Sequence, residues 1–309
     1  MSIVHVVSVS GGKDSEATML IAIERFGAHR CRFVFADTGN EDDAVYEHLA
    51  YLEQALGVEI IRLKSNFDQQ IANKRMFIAR DKRIGRKNGK KLRWTNKAKR
   101  RALAALYPTG NPYLDLCIWK GRFPSRKTQF CTEQLKTIPL VEYQLSLIEQ
   151  GYTVVSWQGV RRDESHARKD VLKFEVVGGG LFIYRPIVDW TAQQTIDYCL
   201  SRGVSLNPLY SEGFDRVGCM LCINAGKEEI ANSADRKPHH IDRLAQWELV
   251  VRQASKRGES TFFPNSKRDA FAKPDIHAVV RWAKTAHGGR QTTFQFERPV
   301  CASSYGLCG

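Results

Sequence analysis

Apolar positions along this chain follow two alternating periods. Compact runs rich in β-branched and aromatic residues at 3–8, 32–36, 58–63, 153–159 and 181–187 predict buried strands. Stretches with apolar residues three and four apart at 14–25, 42–56, 135–149, 191–202 and 240–255 predict helices. Strands and helices taking turns is the pattern of a doubly wound α/β fold with a parallel sheet, whose ligands sit at the carboxyl ends of the strands. The stretch 74–101 interrupts the alternation between the third and fourth runs; it shows no deep apolar periodicity and reads as an insertion. From Asn207 onward the strand-like runs thin out and loops and cysteines take over. The expected organisation is an α/β domain over 1–206 with its insertion, then a cysteine-bearing cap over 207–309.

The first strand runs into Ser10-Gly11-Gly12-Lys13-Asp14-Ser15 and from there directly into a helix. Consecutive glycines let backbone N–H groups turn toward one point, and the helix adds its positive dipole end, so the junction suits an anion such as a nucleotide phosphate. Its spacing is neither that of the GxxxxGK[ST] loop nor that of the GxGxxG turn.

Composition narrows the setting. The chain has 309 residues, 43% of them apolar, enough for a sizeable core. No apolar run nears the roughly 20 residues that span a bilayer, and a strand starting at Ile3 leaves no room for a signal peptide, so a cytoplasmic protein without membrane association is expected. Eight cysteines in that setting point to metal ligands or reactive thiols. The net charge of +14 is concentrated: 74–101 holds fourteen Lys/Arg against the single acid Asp81. That window, which includes Trp94, predicts a polyanionic partner, nucleic acid above all.

Three further groups carry chemistry. Asp37-Thr38-Gly39-Asn40-Glu41 ends the second strand, where Asp37 can hold Mg²⁺ or a ribose hydroxyl; the plainer alternative is a turn in which Asn40 caps the next helix. Gly159-Val160-Arg161-Arg162-Asp163-Glu164-Ser165-His166-Ala167-Arg168 follows the fourth strand and gathers arginines suited to phosphate or sulfate oxygens, with Glu164 able to orient one of them. Cys219 and Cys222 form a CxxC pair that needs partners, available in Cys131 and in the late Cys301 and Cys308; four thiolates mean an iron–sulfur cluster or zinc. Cys31, Cys117 and Cys199 lie in apolar or helical surroundings and read as core.

Taken in order, these motifs resemble the phosphoadenosine phosphosulfate (PAPS) reductase family of the PP-loop, adenine nucleotide alpha hydrolase-like superfamily. The resemblance runs over 4–226 and includes Lys136, Pro186-Ile187-Val188-Asp189-Trp190-Thr191 and Asn207-Pro208-Leu209-Tyr210. It implies an adenine nucleotide cradled by Ser10, Gly11, Gly12, Lys13, Asp14 and Ser15, with Asp37 and Gly159 beside it. Lys13, Asp14, Arg161, Glu164, Arg168 and Cys308 are the implied catalytic set. A [4Fe–4S] cluster would sit on Cys131, Cys219, Cys222 and one tail cysteine, Cys301 before Cys308. Cluster-bearing reductases of this family carry a double cysteine where this chain has Phe130-Cys131, they degrade the phosphate loop that is intact here, and they end in a catalytic tail unlike Tyr305-Gly306-Leu307-Cys308-Gly309. These departures favour ATP with Mg²⁺ and the branches that adenylylate a substrate and install sulfur, with a sulfur donor or reductase protein as a further partner. Two alternatives stand beside that expectation: a sulfonucleotide reductase producing sulfite, and a zinc-stapled nucleic-acid-binding adaptor.

Overall fold

A computed structural model describes residues 2–263 and 275–286. In chain order the elements are β1 (Ile3–Val9), α1 (Lys13–Phe26), β2 (Cys31–Asp37), α2 (Asp43–Leu56), β3 (Ile60–Lys64), α3 (Asp68–Arg80), β4 (Arg86–Lys87), β5 (Lys90–Lys91), α4 (Asn96–Ala105), α5 (Pro112–Lys120), the single turn α6 (Phe130–Thr132), α7 (Ile138–Glu149), β6 (Thr153–Trp157), β7 (Phe174–Gly178), β8 (Leu181–Tyr184), α8 (Ala192–Ser201), α9 (Lys227–Arg236), α10 (Pro238–Ala254) and α11 (Ile276–Ala283). All five expected strands and all five expected helices are present. The helix expected from 135 begins with a π-helical turn, Glu133–Thr137, before α7.

The chain divides into two compact units, one holding Met1–Lys64 and Thr132–Asn224, the other Ser65–Cys131 and the described residues from Ala225 on. Residues 207–224 therefore group with the sheet and the basic window groups with the later helices, where the sequence suggested a single boundary after 206.

In the first unit six strands lie in the order β3-β2-β1-β6-β8-β7, all pairs parallel except the edge pair β7–β8. β1 is central because it is apolar on both faces. Val4 and Val6 pack with Leu140 and Leu147 of α7 on one side, and Val7 and Val9 pack with Met19 of α1 and Leu49 and Leu52 of α2 on the other. Each fully buried side chain of this kind contributes about 1.5–3 kcal/mol. From β1 the chain moves to β2 and β3 on one side and later to β6 on the other, so the ends of β1 and β6 flank a topological switch point. Directly after it, α1 is buried without a break from Lys13 to Ala22, polar residues included. Burial of Lys13, Asp14, Ser15 and Glu16 is costly unless each is paired; Glu16 is met by His48 at 2.8 Å.

The second unit corrects the reading of 74–101 as a stretch without apolar periodicity. Ile71 and Ile78 of α3 and Ala98 and Ala102 of α4 are buried, as is Trp94, whose N–H donates to Asp81 at 2.8 Å. The apolar face is one residue wide per turn, too thin to stand out among so many cations. Several of those cations act locally, on the orphan carbonyls that end helices. Lys74 Nζ donates to the Ile118 and Trp119 carbonyls of α5 at 3.0 and 2.7 Å. Arg75 reaches the Leu103 and Leu106 carbonyls at 2.7 and 2.8 Å. Lys99 reaches the Ala79 and Asp81 carbonyls at 3.2 and 2.9 Å, and Arg101 those of Gln253 and Ser255 at 3.2 and 2.6 Å. An aromatic core completes the unit, with Tyr113 stacked on Trp247 at 5.6 Å and Phe262 fully buried against Phe123. No helix among the described residues is long and apolar enough to cross a membrane.

Candidate active site

The turn between β1 and α1 is held by its own side chains. Gly11 adopts φ +75°, and a Cβ there would lie 3.2 Å from Val45 Cγ1. Ser15 Oγ accepts from the Ser10 N–H at 3.0 Å and donates to the Gly12 carbonyl at 2.8 Å, which also accepts from the N–H groups of Ser15 and Glu16. The Lys13 N–H donates to the Tyr210 hydroxyl at 3.1 Å. Among the described residues nothing accepts from the N–H groups of Gly11 and Gly12. Two donors with no acceptor among the described residues, at the positive end of a buried helix, are suited to an anion.

Charge is arranged around that turn. Asp14 accepts from Arg161 Nε at 2.8 Å through one oxygen and lies 3.6 Å from Lys13 Nζ through the other, and Arg161 also reaches Asp163 at 3.0 Å. The loop after β6 can come this close because residue 159 is glycine: a Cβ there would stand 2.7 Å from the Asp14 carbonyl oxygen. Arg168 is buried and ion-paired with Glu164, while its Nη2 has no hydrogen-bond partner among the described residues, and neither does Ser165 Oγ. Burial pulls the Arg168 guanidinium down to about 10; Asp14 opposes that shift, and Arg216 and Arg161 add to it. A buried cation with an unfilled donor, among other cations, is suited to an oxyanion. Arg162 plays another part, since it is spent on the Val171 carbonyl and Asp189.

At the end of β2, Asp37 accepts from the Gly39 N–H at 3.0 Å and the Tyr46 hydroxyl at 2.8 Å, and pairs with Lys64 at 3.0 Å. Burial, with Glu41 and Asp37 beside it, pushes the Tyr46 phenol far up and keeps it protonated. The helix cap is Asp42, which accepts from the Ala44 N–H at 2.9 Å. Asn40, the residue whose plainer reading was that cap, is instead buried: its side chain donates to the Leu221 carbonyl at 3.1 Å, and its carbonyl accepts from the Met220 N–H at 2.7 Å. The CxxC loop is thereby stitched to the turn after β2. Cys219 Sγ lies 3.5 Å from Thr38 Oγ1 and 3.8 Å from Glu41, and Cys222 Sγ accepts from the Asn224 N–H at 3.4 Å. Burial pushes the Cys219 thiol up to about 12, against the pull of Lys136. Val9, Ser10, Phe35, Ala36, Glu41, Lys136 and Gly218 line a cleft between these segments.

One unit thus brings together Ser10, Gly11, Gly12, Lys13, Asp14, Ser15, Asp37, Gly159, Arg161, Glu164, Arg168, Cys219 and Cys222. Cys131 belongs to the other unit, and Cys301 and Cys308 lie outside the described residues. Cys31, Cys117 and Cys199 are buried, as expected of core thiols. Sequence reading passed over Tyr210, Arg216, Tyr46 and Lys64 as site residues. Tyr210 stood in a quoted motif without a role, whereas Lys64 becomes visible only through the β2–β3 register that sets it opposite Asp37.

The family model for the phosphoadenosine phosphosulfate reductase domain matches residues 4–225. A 37.8 kDa protein encoded in the gpa 5′ region of Escherichia phage 186 is 40% identical, over 99% of this chain and 97% of its own length. An adenosine 5′-phosphosulfate reductase of Deinococcus radiodurans is 33% identical over 97 residues, 31% of this chain, which spans 36% of that enzyme's length. A PAPS reductase of Candida auris in complex with phosphate superposes over 71% of this chain and 82% of its own, at 14% identity and a TM-score of 0.42. With a family match over residues 4–225, most of its length, this chain belongs to the phosphoadenosine phosphosulfate reductase domain family.

Proposed function

We propose that this chain cleaves ATP between its α and β phosphates, adenylylating a nucleic-acid acceptor that then receives sulfur. The observation that carries this reading is the pair of unspent N–H groups at Gly11 and Gly12 beside Lys13, separate from the unfilled donors of Arg168 and Ser165. Two anion sites suit a nucleotide that splits into two charged parts; a phosphosulfate has no β,γ-diphosphate to fill the first.

In the proposed reaction an acceptor oxygen attacks the α-phosphorus, the bond from that phosphorus to the bridging oxygen breaks, and pyrophosphate leaves with the electron pair. Gly11 and Gly12 hold the diphosphate, Lys13 offsets the charge that grows on it, and Arg161 and Arg168 hold oxygens at the α-phosphate and the acceptor. Sulfur at the sulfide level from a donor protein then attacks the activated acceptor atom. The bond to sulfur forms as the bond from that atom to the adenylylated oxygen breaks, AMP leaves with the electron pair, and Cys308 is assigned to activating the incoming sulfur. Both oxygens of Asp14 face cations. Asp37, whose partner Lys64 is largely exposed, is therefore the carboxylate assigned to Mg²⁺.

The donor set suits part of an iron–sulfur site. Cys219 and Cys222 share one loop, and Lys136 favours the thiolate at Cys219. Those two supply two of the four thiolates that a cluster needs, and a bound cluster would supply electrons or sulfur.

Pyrophosphate release from Mg²⁺-ATP, with and without nucleic acid, is the test. Turnover is expected, and Lys13→Ala lowers it by 10²- to 10³-fold, about 3 kcal/mol at the transition state, with little change in melting temperature. Thioredoxin-dependent sulfite release from a sulfonucleotide, with no ATP turnover, would replace this reading by the reductase.

A further inference from the structure

The helix-ending contacts of Lys74, Arg75, Lys99 and Arg101 divide the basic window into cations with structural work and cations without it. Arg80, Lys82, Arg86, Lys87, Lys91 and Arg93 are exposed and cluster on either side of a hairpin. Between Asp68 and Asp115 the only acid is Asp81, which is buried and already bonded to Arg83 and Trp94.

The hairpin is a two-stranded antiparallel ribbon in which Arg86 pairs with Lys91 and Lys87 with Lys90. Asn88 and Gly89, at φ 52° and 73°, form a tight two-residue turn with both residues left-handed, and the Leu92 N–H closes the base on the Gly85 carbonyl at 3.0 Å. Cations opposite one another, such as Arg86 and Lys91, destabilise such a pair. Its base is pinned by Lys256, which donates to the Lys91 and Leu92 carbonyls at 2.8 and 2.6 Å, and by Arg83, which donates to the Leu92 carbonyl at 2.9 Å. Ile84, at its foot, is 95% exposed. A ribbon whose facing cations repel one another gains most from an anionic partner that neutralises both strands.

We propose that the ribbon 85–92 enters the major groove of duplex DNA, with Arg86, Lys87 and Lys91 on its phosphates. This rests on the nucleic-acid acceptor proposed above and names its form. The major groove of B-DNA, about 12 Å wide and 8.5 Å deep, admits a two-stranded ribbon. From base to turn this one extends about 10 Å at roughly 3.4 Å per residue. The deep, narrow major groove of duplex RNA does not admit side chains in this way.

The test is fluorescence anisotropy of the full chain with a 20-base-pair DNA duplex, the RNA duplex of the same sequence and the single DNA strand, across a salt series. Duplex DNA should bind most tightly. The triple variant Arg86→Gln, Lys87→Gln, Lys91→Gln should lose about 2.7 from the slope of log K against log salt, at about 0.9 per phosphate contact. A control triple, Arg30→Gln, Lys127→Gln, Lys173→Gln, should leave the slope within one contact of the parent, and melting curves should show both variants folded. If the parent binds duplex DNA but the ribbon variant keeps its slope, or if the RNA duplex binds as tightly, the ribbon assignment is wrong while the acceptor reading stands. If the parent binds none of the three, both are wrong.

Discussion

Gly159 shows how a residue without functional groups can govern a site. The backbone after β6 touches the first turn of α1 there, and the atom a Cβ would strike is a backbone oxygen, Asp14 O at 2.7 Å, rather than the yielding tip of a side chain. Relief must come from moving the phosphate loop, the β6 loop, or both. Gly159→Ala is therefore expected to lower nucleotide affinity and turnover together, on the order of 100-fold for a displacement near 1 Å. Calorimetric titration with a non-hydrolysable ATP analogue measures the first, and a normal affinity in the folded variant would show that the contact is not tight. Tyr210 is a residue of the opposite kind, a functional group with one role visible. Its hydroxyl accepts the Lys13 N–H, and burial pushes its phenol well above the usual range. It stays protonated, with a proton to donate beside the loop.

At the scale of elements, the sequence is most legible where apolar periodicity is strong and least where charge hides it. β1 and β2 were readable because these inner parallel strands are apolar on both faces, and β3, β6 and β8 through short β-branched or aromatic runs, although Arg62 and Lys64 leave the edge strand β3 partly polar. β7 was not, since Phe174, Val176 and Val177 of this edge strand are exposed and its run is cut by Gly178-Gly179-Gly180. Nor were α3 and α4, whose cations fasten neighbouring helix ends in ways that depend on tertiary contacts. Lys74 makes that fastening measurable. Burial pulls its ammonium from the usual 10.5 down to about 8. Below pH 8 the folded and unfolded chains both hold the proton; between 8 and 10.5 the unfolded chain holds more, so this residue's contribution to stability rises with pH. Urea midpoints of the parent, measured relative to Lys74→Met, should climb from pH 8 to 10, and a flat difference would mean that Lys74 titrates normally.

Over the whole molecule, the two units carry different halves of the proposed chemistry. The groups assigned to the nucleotide, from Ser10 to Arg168, lie in the first unit, and the ribbon lies in the second. The motifs of the first were readable because phosphate chemistry keeps Gly11, Gly12 and Lys13 adjacent in sequence. Arg216, which acts electrostatically on Arg168 from 48 positions later in the chain, carries no such local signal. Because ligand binding stabilises what it touches, by about 2.7 kcal/mol at a hundred times Kd, it leaves a footprint in amide exchange. A non-hydrolysable ATP analogue with Mg²⁺ should slow exchange in 10–26, 37–42 and 159–168, by up to about 100-fold for the most protected amides, and leave 80–93 unchanged. Duplex DNA should slow exchange in 80–93 with or without the analogue. Protection by DNA confined to the first unit would move the acceptor's contacts to the arginine loop after β6, and protection of 80–93 by the nucleotide alone would mean that the ribbon answers to ATP rather than to a polyanion.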